Sequence, residues 1–368
     1  MYKEKDIVMI AKRENNNARN YLVVNRLQAK HIPTVPSEAI GMFDSLAQLI
    51  KGKFDPQKTL IIGFAETATA IGSHLAVRLG TAYMQTTRED IDGAEYLYFT
   101  ESHSHAVEQR LVKNELSSVA EFADNIVFAE DELTTGNTIL KAVGAIKSAY
   151  PEKRLHFSAV SILNGMEKDA LDRFSENGVD VYFLVKTNHS KYPETASRYN
   201  CDGTYNEVMH YNNCRINSHI LNGAVNPRIM TDGKTLCGAC EKLAEKICSG
   251  VEKDNMKKIL VLGTEECMYP AIFTGMELEK RGYDVRTHST TRSPIAVSCD
   301  EDYPLHKRYK LKSLYDDERT TFIYDLDKYD RVIVITDAEN TNSGGTESLL
   351  AAISHAGNDC IDIVRWKN

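Results

Sequence analysis

Ile126-Val127-Phe128-Ala129-Glu130-Asp131-Glu132-Leu133-Thr134-Thr135-Gly136-Asn137-Thr138 is the stretch from which the rest of the chain is read. Four apolar residues ahead of an acidic, Thr/Gly-rich turn predict a buried strand of a parallel sheet. From Thr138 to Tyr150, Ile139, Leu140, Val143 and Ile146 fall at helical spacing. The turn therefore opens a helix. Its backbone N–H groups, its hydroxyls and the helix dipole favour an anion at Thr134–Thr138. Glu130 and Asp131, just ahead of that anion site, would repel a bare phosphate. They make sense holding something between themselves and it, such as the hydroxyls of a sugar.

The stretch resembles the 5-phosphoribosyl-1-pyrophosphate (PRPP) loop of type I phosphoribosyltransferases: apolar residues, two acids, two variable positions, then Thr-Thr-Gly-x-Thr. The resemblance implies that Thr134, Thr135, Gly136, Asn137 and Thr138 cradle the 5′-phosphate and that Glu130 and Asp131 hold the ribose hydroxyls. Thr134 stands where the hypoxanthine-guanine branch carries an Asp, which argues against that branch.

The chain has 368 residues, long for one domain, with 42% hydrophobic and 26% charged residues. Its net charge of −8 gives no basic footprint for nucleic acid or an anionic membrane surface. Met1–Ile10 holds only a four-residue apolar run after charges, expected to be neither a signal peptide nor a membrane span. The eight cysteines lack the density of a secreted scaffold, so a cytoplasmic, reduced protein is expected. Cys237-Gly238-Ala239-Cys240 is a C-x-x-C. Zinc would need two more ligands, and Cys201, His210, Cys214 and Cys248 stand at irregular spacings, so buried thiols are the default.

Upstream of the loop, Ser37–Lys51 reads as an N-capped amphipathic helix with Ile40, Phe43, Leu46, Ala47 and Ile50 on one side. Thr59–Ile62 is a strand running into Gly63-Phe64-Ala65-Glu66-Thr67, a small-residue turn; Ala82–Gln85 is a strand ending before Arg88. The resemblance implies that Glu66, Thr67, Arg88 and Lys30 contact pyrophosphate. It also implies that residues 96–114, with His103 and His105, form a hood over the reacting centre. An H-x-H can instead bind metal, but no third ligand is matched; acid–base or donor roles suit histidine at working pH.

The second half repeats these motifs in the same order: Gly263-Thr264-Glu265-Glu266, then Thr290-Thr291-Arg292, then Asp337 with Gly344-Gly345-Thr346. Thr86 to Asp131 spans 45 residues and Thr290 to Asp337 spans 47, which reads as an internal duplication. Thr264, Glu265, Arg292, Asp337, Gly344, Gly345 and Thr346 are thus candidates for a second site, for a related phosphate compound or for nothing. Thr291-Arg292-Ser293-Pro294 is the signature of the TRSP domain, and Gly263-Thr264-Glu265-Glu266 resembles that domain's opening. The whole chain resembles a family in which an orotate-transferase-like domain is fused to a TRSP domain, in gene neighbourhoods linked to tellurium resistance and stress.

The expectation is an α/β protein of two tandem phosphoribosyltransferase-like domains with mostly parallel sheets flanked by helices. The first is expected over residues 1–200 and the TRSP domain over 201–368, with a linker over 201–233. The resemblance implies a pentosyltransferase using PRPP and Mg²⁺, the metal held mainly through PRPP without dedicated protein ligands, that attaches ribose 5-phosphate to an unidentified base, or runs the reverse, in a nucleotide-like metabolite pathway. A non-catalytic PRPP or nucleotide sensor is the alternative. PRPP synthase, also a doubled fold, is a third reading, though no ATP-binding feature is evident. Self-association into a homo-oligomer is left open.

Overall fold

The computed structural model describes residues 2–14, 19–99, 109–211, 214–251, 257–339 and 344–368. They form two compact units. The first comprises residues 41–187 and 225–239; the second comprises residues 1–40, 188–224 and 240–368.

The first unit is built on a six-stranded sheet. Its order is Thr231–Asp232, Ala82–Gln85, Thr59–Gly63, Asn125–Leu133, His156–Asn164, Val179–Lys186. All neighbours are parallel except the two-residue edge, Thr231–Asp232. The sequence explains the architecture. Thr59–Gly63 is buried at every position and His156–Asn164 at all but its first, so helices must cover both faces. Thr69–Leu79, Asn137–Ala149 and Lys168–Glu176 are the connecting helices.

The second unit has a five-stranded, wholly parallel sheet ordered Arg215–Asn222, Cys360–Lys367, Arg331–Thr336, Lys258–Gly263, Asp284–Ser289. A hairpin, Val8–Lys12 with Tyr21–Asn25, and a three-stranded sheet, Thr204–Asn206, Lys307–Lys312 and Thr320–Tyr324, complete it.

This division differs from a single cut near residue 200. The first forty residues fold with the C-terminal part. Thr34 and Thr287 exchange both backbone hydrogen bonds, and Ala11 and Val24 share a core with Ile295, Val297, Tyr303, Leu305, Phe322 and Tyr324. Residues 201–233 are not a linker either. Arg215–Asn222 pairs with Cys360–Lys367 through eight residues. Its Asn- and Ser-rich composition suits a sheet-edge strand with largely exposed side chains. No helix among the described residues is long and apolar enough to cross a membrane.

The two sheets share a local frame. In the first, Gly63 lies opposite Gln85 and Ala129; in the second, Gly263 lies opposite Ser289 and Ile335. The Thr86 N–H donates to the Gly63 carbonyl at 2.9 Å, and the Thr290 N–H to the Gly263 carbonyl at 3.1 Å. Thr87 N–H bonds the Arg110 carbonyl as Thr291 N–H bonds the Phe322 carbonyl. Two backbone bonds beside Gly63 thus have counterparts beside Gly263.

Candidate active site

In the first unit the chemistry-bearing residues gather at the C-terminal ends of the parallel strands, the usual ligand edge of an open α/β sheet. Glu130 and Asp131 lie on the last residues of Asn125–Leu133 rather than in the turn that the acids suggested. Pairing continues through Leu133 opposite Asn164, because the neighbouring strand extends equally far. Asp131 Oδ1 accepts a hydrogen bond from Thr67 Oγ1 at 3.0 Å. The acidic strand and the turn after Thr59–Gly63 thus meet at one point.

That turn is held from behind. The Ala65 N–H donates to Thr86 Oγ1 at 2.7 Å, and Thr86 Oγ1 donates to Gln109 Oε1 at 2.8 Å. Gln109 Nε2 returns to the Ala65 carbonyl at 2.8 Å, closing a ring of three residues. Glu66 in this turn is buried. Arg88 follows Thr86 by two residues and is half-buried. Gln109 has no motif to announce it; one polar residue just ahead of the short strand Arg110–Val112 is indistinguishable from a surface glutamine in sequence.

Past the acids, Thr134–Thr138 turns into the helix Asn137–Ala149, whose N-cap residue is Gly136 and whose first N–H, that of Asn137, donates to Thr135 Oγ1 at 3.4 Å. The first N–H groups of a helix lack intrahelical partners, so this end presents donors and a positive dipole together. Gly136 sits at φ +67, and a Cβ placed there would lie 2.1 Å from Phe174 Cε2. Arg173 Nη2, from the helix Lys168–Glu176, donates to the Thr135 carbonyl at 3.1 Å and sets a guanidinium beside the turn. Its distance in sequence from the loop hid it.

Glu130 is half-buried, and its carboxyl is raised well above its ordinary 4.5, first by loss of water and then by the charge of Asp131. The folded state thus binds this proton more tightly than the unfolded chain. Glu130 costs stability increasingly as pH rises from 4.5 through its folded pKa. Glu130→Gln removes that penalty. In thermal melts the variant is expected to gain on wild type from about pH 4.5 upward, with the gap closing at lower pH. A gap independent of pH would refute the assignment.

Lys30 is not among these residues. It belongs to the second unit, where it is fully buried and its Nζ donates to the Thr290 carbonyl at 3.3 Å. His288, beside it, is held neutral by burial, with its pKa lowered to about 4. His103 and His105 lie outside the described residues.

The second-unit candidates also converge. Glu265, at φ +43 and 1% exposed, accepts from Arg292 Nε at 2.7 Å and from Arg319 Nη1 at 3.1 Å. Ser313 Oγ donates to its other oxygen at 2.5 Å. Tyr315 Oη donates to Asp337 Oδ1 at 2.6 Å and stands 2.8 Å from Thr264 Oγ1. Gly344 lies near Lys312, Gly345 against the Ser313 backbone, and Thr346 Oγ1 accepts from Arg365 at 3.3 Å. Ser313, Tyr315 and Arg319 have no counterpart in the first-half motifs. Among the described residues, no three His, Cys, Asp or Glu side chains group as a metal site.

Two family models match the chain. One, described as a phosphoribosyl transferase, covers residues 7–188; the other, a TRSP domain C-terminal to it, covers residues 230–353. No curated protein matches. Among solved structures, the chain is similar to adenine phosphoribosyltransferase from Giardia lamblia, at 13% identity over 50% of this chain and 96% of that one, with a TM-score of 0.36. It is similar to the adenine enzyme of Thermoanaerobacter pseudethanolicus, at 16% identity over 50% and 97%, with a TM-score of 0.36. It is also similar to orotate phosphoribosyltransferase from Aeropyrum pernix, at 14% identity over 54% and 96%, with a TM-score of 0.33. The chain belongs to the family that joins a phosphoribosyl transferase domain to a C-terminal TRSP domain, and its enzyme class is that of the phosphoribosyltransferases, which are pentosyltransferases.

Proposed function

We propose that the first unit transfers the ribose 5-phosphate group of PRPP to a nitrogen of a heterocyclic base. The C1–O bond to pyrophosphate breaks, the leaving group keeps the electron pair, and the base nitrogen forms the new bond to C1 and gives up its proton. The transition state is oxocarbenium-like, so the protein's task is to position the ribose and stabilise charge. Thr134–Thr138 would anchor the 5′-phosphate, with Arg173 adding a cation beside the turn. Glu130 and Asp131 would take the ribose hydroxyls and face the developing positive charge. Arg88 and the turn at Glu66 and Thr67 would take the pyrophosphate.

The observation that carries this reading is the Asp131–Thr67 hydrogen bond of 3.0 Å. It ties the acids proposed for the sugar to the turn proposed for the pyrophosphate, beside a helix N-terminus whose N-cap residue is a glycine. The carboxyl of Glu130, raised first by loss of water and then by the charge of Asp131, stands beside a second carboxylate, and the pair fits a divalent cation delivered with an anionic substrate. Mg²⁺, held chiefly through PRPP, would neutralise the leaving group, while Glu130 and Asp131 supply hard oxygen charge nearby.

The test is calorimetric titration of PRPP with and without Mg²⁺, followed by pyrophosphate release across candidate bases. Mg²⁺-dependent binding with base-dependent release is expected. Binding without release for any base would favour a sensor, and no binding of PRPP would overturn the reading.

A further inference from the structure

We propose that the second unit contains an anion cradle whose occupant is the chain's own Glu265, so that this unit takes no PRPP in its native form. The common backbone frame fixes the correspondence. The Ala65 N–H bonds Thr86 Oγ1 at 2.7 Å, and the Glu265 N–H bonds Thr290 Oγ1 at 3.0 Å. Glu265 therefore stands where Ala65 does, Arg292 where Arg88 does, and Asp337 where Asp131 does. In the first unit the side chain at this position ends at Cβ. In the second it continues to a carboxylate that receives Arg292 Nε, Arg319 Nη1 and Ser313 Oγ.

Two guanidiniums and a hydroxyl converging on one dry carboxylate are the donor set that a phosphate or pyrophosphate group would need. An entering anion would have to displace Glu265 from both arginines, at the cost of burying an unpaired charge. The two other elements are also met by this unit's own groups. Asp337 already accepts from Tyr315 Oη at 2.6 Å, where the proposed role of its counterpart Asp131 is to take a sugar hydroxyl. At the start of the helix Gly344–His355, a Cβ on Gly345 would lie 2.0 Å from the Ser313 carbonyl oxygen. All the filling groups except Glu265 come from residues 313–319, between the strands Lys307–Lys312 and Thr320–Tyr324. One connecting segment thus meets Glu265, Asp337 and Gly345 together. The chemical class that the emptied cradle fits is a phosphate or pyrophosphate dianion.

The experiment is titration of inorganic pyrophosphate into wild type, Glu265→Ala and Glu265→Gln, read by calorimetry and thermal melting. Glu265→Ala is expected to bind one more equivalent than wild type, in a salt-dependent manner. Glu265→Gln, which still fills the space, is expected to gain none. A folded Glu265→Ala with wild-type stoichiometry, or an equal gain in Glu265→Gln, overturns the proposal. Should Glu265→Ala fold only with added anion, a cooperative melt restored by pyrophosphate supports it, and no recovery up to about 10 mM overturns it.

The corollary, one PRPP per chain, rests on the function proposed above, and two per wild-type chain would also overturn the self-filled cradle. If PRPP fails to bind at all, that function falls while the pyrophosphate gain of Glu265→Ala still decides the cradle.

Discussion

Asp131→Asn is expected to lose Mg²⁺-dependent PRPP binding, and phosphoribosyl transfer should fall by about 10²–10³-fold, the usual effect of removing one preorganised electrostatic partner of a transition state. Asn keeps an oxygen acceptor for Thr67 Oγ1, which lies 3.0 Å from Asp131 Oδ1, so the turn after Thr59–Gly63 stays tied to the acidic strand. What disappears is the negative charge facing C1 as the pyrophosphate leaves. The fold should persist, because Asp131 is only half-buried at the end of its strand. The checks are parallel calorimetry and a pyrophosphate-release assay, with circular dichroism and thermal melting as the folding control. Wild-type turnover in a folded Asp131→Asn would sink the assignment of the acidic pair. A loss of turnover with unchanged PRPP affinity would move Asp131 from ground-state binding to transition-state stabilisation alone.

Gly136→Ala carries the largest expected effect on stability. The residue lies at φ +67, where a side chain costs about 1–2 kcal/mol. The new methyl would also stand 2.1 Å from Phe174 Cε2 and 2.4 Å from its Cζ, and overpacking of this kind costs about 1–3 kcal/mol. Phe174 is fully buried, so it has little room to withdraw. The sum, roughly 2–5 kcal/mol, exceeds the effect of most single substitutions. The relief available is displacement of the turn, which would pull its N–H groups away from the 5′-phosphate position. PRPP affinity should therefore fall together with the thermal midpoint. A double variant with Phe174→Leu should recover part of the packing cost and none of the backbone cost, giving a non-additive cycle. Additive single effects would mean that the ring contact is not the source.

Several parts of the site were legible because they are local. The turn Thr134–Thr138 and the acids Glu130 and Asp131 are consecutive, and their meaning lies in the backbone and side-chain pattern of one strand–turn–helix passage. The correspondence of Gly63, Thr86 and Asp131 with Gly263, Thr290 and Asp337 was legible because register along a parallel sheet preserves spacing. The face of the helix Pro36–Ile50 was equally clear, with Ile40, Phe43, Leu46, Ala47 and Ile50 all buried. The end of the acidic strand was missed by four residues. Apolarity stops at Ala129, whereas hydrogen bonding with His156–Asn164 does not.

The sequence by itself pointed to the strand–turn–helix passage with its two acids and to like motifs at near-equal separations in the two halves, since both are written in neighbouring residues or in similar spacings. Only the tertiary structure decided which residues complete each site. Arg173 reaches the turn Thr134–Thr138 from another helix, Gln109 locks the turn at Ala65, and Lys30 with the first forty residues joins the second unit. Residues 313–319 meet Glu265 and Asp337 through contacts that leave no periodic trace in the chain. Such pairings depend on where a distant segment lands after the sheets have formed, and a hydrogen bond between side chains dozens of residues apart requires no pattern in the residues between them.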